Sequence, residues 1–280
     1  MDKELIHHFI IEALKEDVGD GDHTSLSTIP SDSTGKAKLL VKDEGILAGV
    51  ELALEIFKVV DANLKVNVFL NDGAVIKPKD VAFEVEGNSQ SILKAERLVL
   101  NCMQRMSGIA TKTRQIVDLL KDTHTKVLDT RKTTPGMRYL EKWAVRIGGG
   151  VNHRFGLYDM ILIKDNHVDY AGGIRQAIER ANQYLIDHNK KLAIEIEVRN
   201  LDELDQVLQA GHVNRILLDN FNFADLKQAV DVIQGRFITE ASGGITIDNI
   251  RGYAECGVDY ISVGALTHSI KSLDLSLKAI

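Results

Sequence analysis

The spacing of hydrophobic and polar positions changes partway along the chain. Over residues 3 to 16, Leu5, Ile6, Phe9, Ile10, Ala13 and Leu14 recur at the period of a helix, which the glycines at 19 and 21 should stop. "DVGDGDHTS" then reads as a turn-rich loop, and its Asp17, Asp20 and Asp22 lack the spacing of a calcium loop. "GKAKLLVKDEGILAG" predicts two short strands, "ELALEIFKVV" a helix, and "LKVNVFL" and "VAFEVEG" alternate as strands bounded by Asn-Asp-Gly and Gly-Asn. The first ninety or so residues therefore read as a small unit of mixed helix and strand. A long helical run follows from Ser91 to about Lys121, with an interruption expected near Gly108. On it Ile92, Val99, Met103 and Met106 form an apolar stripe, while Arg97, Asn101 and Gln104 line another face, either as a solvated surface or as a contact surface.

From residue 126 the pattern becomes strand, helix, strand. Apolar, β-rich runs recur at 126–130, 159–165, 192–198, 215–220, 236–242 and 259–265, and the stretches between them carry the 3.6-residue period. Continuous apolar strands alternating with helices predict a parallel sheet covered by helices. "AVRIGGG" is a candidate for one further short strand. A closed barrel of six or seven strands is preferred to an open doubly wound sheet, because no dinucleotide fingerprint follows the first strand.

Composition narrows the function. A net charge of −6 over 280 residues argues against a nucleic-acid or membrane-surface role. Yet residues 126 to 175 carry nine Lys and Arg (126, 131, 132, 138, 142, 146, 154, 164, 175) against five Asp and Glu (129, 141, 159, 165, 169). Cys102 and Cys256 lie far apart and outside any CxxC pattern, so neither a disulfide framework nor a zinc site is expected. The charged N-terminus is unlike a signal peptide, and no apolar run approaches the length of a membrane span, which makes a cytoplasmic location the expectation.

The polar residues that close the predicted strands carry the candidate chemistry. In chain order they are Arg131 and Lys132, His153 and Arg154, Lys164, Glu197, Asp219, Ser242 with Gly243 and Gly244, and Gly264. The strand-to-helix loops of a parallel barrel open on one edge, so these residues should converge there. Arg131, Lys132, Arg154 and Lys164 suit carboxylates or phosphates. Glu197 and Asp219 suit Mg²⁺ or sugar hydroxyls. "SGGIT" before a helix, with Gly264 on the next strand, offers backbone N–H groups to a phosphate. The inferred ligands are a phosphorylated, hydroxyl-bearing molecule with a metal, and a second molecule rich in carboxylate.

"ERLVLNCMQRMSGIAT", "TRKTTPGMR", "EKWAVRIGGGVNHRFGLYDMILIKDNH", "IEIEV", "ILLDN", "EASGGIT" and "DYISVGALTHS" resemble the quinolinate phosphoribosyltransferase family, from the early "EDVGDGDHTS" to the C-terminus. The resemblance implies an N-terminal α/β sandwich domain over 1–108, joined by the C-terminal segment 270–280, whose last helix packs back on it. An incomplete six- or seven-stranded parallel α/β barrel would occupy 109–269 as the catalytic domain. It implies transfer of phosphoribose from phosphoribosyl pyrophosphate to quinolinate with Mg²⁺, giving nicotinate mononucleotide, pyrophosphate and CO₂ on the route to NAD. By the same resemblance Arg131, His153, Arg154 and Lys164 surround the quinolinate carboxylates, and Lys132 reaches the pyrophosphate. Glu197 and Asp219 meet ribose hydroxyls and metal, and Ser242, Gly243, Gly244 and Gly264 seat the 5′-phosphate. Lys132, Lys164, Glu197 and Asp219 are the catalytic candidates. Arg97 would reach the neighbouring protomer's site, which makes a homodimer or a larger assembly the expectation. Three other readings remain: a Schiff-base lyase using Lys132 or Lys164, a related pyridine phosphoribosyltransferase, and a non-catalytic anion-binding protein.

Overall fold

A computed structural model describes residues 3–280. In chain order its elements are α1 (Lys3–Val18), α2 (His23–Thr28), β1 (Thr34–Val41), β2 (Gly45–Ile46), α3 (Val50–Val60), β3 (Lys65–Val68), β4 (Val75–Ile76) and β5 (Val81–Asn88). Then come α4 (Ser89–Leu119), β6 (Lys126–Leu128), α5 (Arg138–Ile147), β7 (Ile161–Ile163), α6 (Asp165–Ala171), α7 (Ile174–Asp187), β8 (Ile194–Val198) and α8 (Leu201–Ala210). The last are β9 (Arg215–Asp219), α9 (Phe223–Ile233), β10 (Ile238–Ser242), α10 (Ile250–Glu255), β11 (Tyr260–Ser262), α11 (Ala265–His268) and β12 (Leu275–Ala279). They form two compact units. One comprises Met1–Arg114, Thr133–Gly149 and Leu266–Ile280; the other comprises Gln115–Lys132 and Gly150–Ala265.

The first unit holds an antiparallel sheet in the order β12, β1, β5, β3. Strand β1 alternates, burying Ala37, Leu39 and Val41, and α3 buries Leu52, Ala53, Ile56 and Phe57. Phe57 meets Phe83 of β5 edge to face at 5.8 Å, a pair whose burial contributes roughly 1.5–3 kcal/mol per ring. Three expectations need correction here. The loop "DVGDGDHTS" runs into the first turn of α2, because the Asp22 carboxylate caps that helix by accepting the Ser25 N–H at 3.1 Å. Helix α4 runs through Gly108 without interruption for 31 residues. Gly108 serves packing instead: a β-carbon there would overlap the Lys271 carbonyl oxygen. The closing segment is a strand rather than a helix, because Leu275 and Leu277 alternate with Ser276 and Lys278 and only the leucines are buried against the sheet.

The second unit is a parallel sheet in the order β6, β11, β10, β9, β8, β7. The last strand returns to pair with the first, and the ladder is open between β6 and β7, so the barrel has six strands and is incomplete. "AVRIGGG" does not supply a seventh. Leu140, Ala144 and Val145 are buried at helical spacing in α5, and only Val151 makes an isolated bridge to Leu128. Along β8 to β10, one face is apolar through Ile194, Ile196, Val198, Ile216, Leu218 and Ala241, all buried. The other face is strongly polar, and that face builds the site.

Candidate active site

Period-two alternation places Glu195 and Glu197 on one face of β8, Arg215 and Asp219 on one face of β9, and Glu240 and Ser242 on one face of β10. The register fixes their neighbours: Glu195 lies opposite Arg215, and Asp219 opposite Ser242. Two polar rows result, one at the C-terminal strand ends and one beneath it.

In the upper row Lys164, directly after β7, sets Nζ 3.0 Å from Glu197 Oε2. Asp219 accepts the Ser242 hydroxyl at 2.5 Å on Oδ1 and the Asn220 amide at 2.6 Å on Oδ2. Gly243 and Gly244 both have positive φ, so the chain turns sharply after Ser242. The turn does not run directly into a helix: Thr246 N–H donates to Asn249 Oδ1, and α10 begins only at Ile250.

The strand-end segment after β6 is anchored by a residue that the sequence reading passed over. Buried Asp129 accepts the Asn152 amide at 2.5 Å and the His153 N–H at 2.9 Å, tying the Arg131–Lys132 loop to the loop carrying His153 and Arg154. Its signal was present: an aspartate that ends an apolar strand must find donors. The Arg154 guanidinium donates to the Met160 carbonyl at 3.2 Å. Its pKa is held below the usual arginine value, first by burial and then by the charge of Arg131. Two guanidiniums close enough to repel form a seat for an anion.

Eleven of the twelve candidate residues thus belong to the barrel unit and sit on its C-terminal edge: Arg131, Lys132, His153, Arg154, Lys164, Glu197, Asp219, Ser242, Gly243, Gly244 and Gly264. Arg97 is exposed on α4, in the other unit. In the same polar stripe, Gln104 is engaged internally, donating to the Leu275 carbonyl at 2.8 Å to hold β12. A pair in that unit with one buried partner, Glu141, also went unread. Arg105 donates to Glu141 Oε1 at 2.8 and 2.6 Å and to the Thr134 hydroxyl at 2.8 Å, and Glu141 also accepts the Thr134 N–H. The partners lie 36 residues apart, so no local pattern announces them.

An incomplete barrel whose open edge sets several cations against two carboxylates and a glycine turn defines an enzyme for anionic, hydroxyl-bearing substrates. Comparison with known proteins makes the class specific. Residues 22–107 match the quinolinate phosphoribosyl transferase N-terminal domain and residues 109–278 the C-terminal domain. The chain is 46% identical to quinolinate phosphoribosyltransferase [decarboxylating] 2, mitochondrial, of Nicotiana glauca, over 95% of this chain and 80% of that one. It is 42% identical to the probable nicotinate-nucleotide pyrophosphorylase [carboxylating] of Bacillus subtilis, over 98% and 92%. The crystal structure of NadC from Streptococcus pyogenes superposes with a TM-score of 0.93 at 37% identity, covering 100% of this chain and 99% of the other. The chain belongs to the quinolinate phosphoribosyltransferase family.

Proposed function

We propose that the chain transfers phosphoribose from phosphoribosyl pyrophosphate to quinolinate, releasing pyrophosphate and CO₂ and leaving nicotinate mononucleotide for NAD biosynthesis. The observation that carries this reading is the Lys164–Glu197 pair at 3.0 Å, on a strand edge whose following segments also carry Arg131, Arg154 and Asp219. A dicarboxylate needs the cations and a ribose the carboxylates. Arg131 and Arg154 grip carboxylates in bidentate fashion, and Lys164 offers a point charge that quinolinate can draw from Glu197. His153, expected at the same carboxylates, has its side chain only 5% exposed and Nε2 turned to Glu195 and Glu240, so it backs the seat from behind. Lys132 faces the leaving pyrophosphate, and Ser242, Gly243, Gly244 and Gly264 seat the 5′-phosphate.

The pyridine nitrogen bonds to ribose C1 as the C1–oxygen bond to pyrophosphate breaks, so positive charge builds on the sugar ring. Glu197 and Asp219 stabilise that charge and hold the ribose hydroxyls, and the cations hold the ring in line, so catalysis is mostly positioning and charge complementarity. The carbon–carbon bond to the 2-carboxylate then breaks. CO₂ leaves, its bonding electron pair stays on C2 beside the positive ring nitrogen, and that pair takes up a proton from solvent.

The two carboxylates fit Mg²⁺: both are hard oxygen donors, on one face of adjacent strands, and neither is fully buried. When bound, Mg²⁺ neutralises pyrophosphate charge. Exposed Arg97 is proposed to complete the site of a second copy in a homodimer. The deciding experiment measures ¹⁴CO₂ from carboxyl-labelled quinolinate. Release that requires phosphoribosyl pyrophosphate is expected; release without it, or with nicotinate as the preferred acceptor, would remove the proposal.

A further inference from the structure

Beneath Glu197, Asp219 and Ser242 the same strands carry a second polar row that no step of the transfer uses. The side chains of Glu195 and Glu240 are 0% exposed. Between them stands His153, with Nε2 3.0 Å from Glu195 Oε2 and 3.5 Å from Glu240 Oε2. Arg215 completes the group, with Nη1 2.9 Å from Glu240 Oε2, Nε 4.0 Å from Glu195 Oε1, and its guanidinium 4.7 Å over the Tyr260 ring.

Two adjacent buried carboxylates are strongly unfavourable unless something compensates them, and a chain does not keep such a pair for packing alone. A metal is one candidate, since a histidine nitrogen and two carboxylate oxygens lie within 4.8 Å of one another. Arg215 supplies a resident cation in its place, pairing with Glu240 Oε2 at 2.9 Å, although Glu240 Oε1 and both Glu195 oxygens accept no hydrogen bond.

The histidine shows what the row does. His153 Nδ1 accepts the Arg154 N–H at 2.7 Å, so Nδ1 carries no proton and Nε2 must carry it. Nε2 lies 3.0 Å from Glu195 Oε2 as a charge contact and not as a hydrogen bond, since neither Glu195 oxygen accepts one. A doubly protonated ring would set Nδ1–H against the Arg154 N–H, so this contact favours the neutral ring over the imidazolium that the two glutamates favour. Asp129 holds the His153 N–H from the other side. The backbone that presents Arg154 is therefore clamped between Asp129 and the buried row. Burial, and next the Glu195 charge, raise Glu240 to about 7, in keeping with a pair that retains a proton.

Resting on the assignment of Arg154 to a quinolinate carboxylate, we propose that Glu195, Glu240 and Arg215 are positioning residues for phosphoribosyl transfer: they hold His153 in its Nε2–H form, and through it fix the Arg154 backbone at the carboxylate seat.

The test compares folded Glu195→Ala and Glu240→Ala proteins with Glu195→Gln and Glu240→Gln, which keep the shape and an acceptor. The alanine variants should raise KM for quinolinate at least tenfold, with KM for phosphoribosyl pyrophosphate within about threefold of wild type, and the glutamine variants should recover most of that loss. Unchanged constants, or equal rises for both substrates, would overturn the inference. Should the alanine variants not fold, ¹⁵N spectra of histidine-labelled wild type decide it. A neutral Nε2–H signal for His153 from pH 6 to 8 supports the inference, and an imidazolium or Nδ1–H form overturns it. About one divalent metal per chain in purified protein, lost in Glu240→Gln, would replace it with a metal site. Wild type that neither binds quinolinate nor releases its CO₂ would instead refute the functional assignment.

Discussion

Lys164 and Glu197 neutralise each other at 3.0 Å across β7 and β8, yet the lysine side chain remains 48% exposed and the glutamate only 10%. An ammonium at the end of an apolar strand finds its anion, but in a position that a substrate carboxylate can reach. Such a half-exposed pair contributes about 0–1 kcal/mol to stability. Lys164→Ala should therefore leave the unfolding midpoint nearly unchanged while raising KM for quinolinate tenfold or more. Steady-state kinetics and urea unfolding on the same sample check this. A stability loss above about 2 kcal/mol with unchanged KM would make the pair structural.

The two glycines after Ser242 should respond differently to alanine. A β-carbon on Gly243, at φ +89°, would overlap Asn220 Oδ1, while one on Gly244, at φ +62°, would meet nothing within 4 Å. Asn220 cannot swing aside without releasing Asp219, to which its amide donates at 2.6 Å. Gly244→Ala should cost about 1–2 kcal/mol from its left-handed backbone alone. Gly243→Ala should cost more and also raise KM for phosphoribosyl pyrophosphate several-fold. Equal effects from the two would place the phosphate seat elsewhere.

Arg105 Nη2 and Glu141 Oε1 pair at 2.6 Å in the first unit, with the Glu141 side chain 1% exposed. Removing one partner leaves a buried charge, so Arg105→Ala should destabilise by about 3–5 kcal/mol. The double replacement Arg105→Met, Glu141→Leu should recover much of that loss. Guanidinium unfolding midpoints give the comparison, and a single replacement costing under 1 kcal/mol would show that solvent reaches the pair.

The split between what local sequence shows and what it hides follows these partners. Where chemistry sits at strand ends, as at Lys164 after "MILI" or Asp219 after "RILL", alternation and the parallel-barrel rule lead to it. The buried row was half visible, because "IEIEV" and "TEAS" place charges where an apolar strand should have none. Their meaning depends on register, which pairs Glu195 with Arg215 twenty residues away and lies outside any local window. Gly108 misled for a related reason. Glycine lowers helix propensity, but here it admits the backbone of Lys271, a contact that only the tertiary fold creates. The closing strand alternates in plain sight as Leu275, Ser276, Leu277 and Lys278, and the helix expected there came from resemblance alone.

If two copies share their sites through Arg97, inactive subunits should complement. Arg97→Ala protein mixed with Lys164→Ala protein should recover up to about a quarter of wild-type activity, because random pairing gives mixed dimers in half the population and each retains one intact site of two. Activity of the mixture no greater than the average of its two components would place Arg97 outside the neighbouring site.

Glu240 should tie stability to pH in a direction opposite to that of an ordinary salt-bridged carboxylate. Burial, reinforced by the Glu195 charge, raises its pKa from 4.5 to about 7, so the folded chain favours the protonated form. The unfolded chain loses that proton near 4.5, the folded chain near 7. The contribution is therefore complete below about pH 4.5 and falls away as pH rises through 7, with a ceiling of about 3 kcal/mol. Glutamine has no proton to lose. Glu240→Gln should accordingly gain on wild type as pH rises from 5 to 8, whatever its absolute stability. Urea midpoints of both proteins across that range make the comparison, and a constant difference would mean that Arg215 keeps Glu240 ionised throughout.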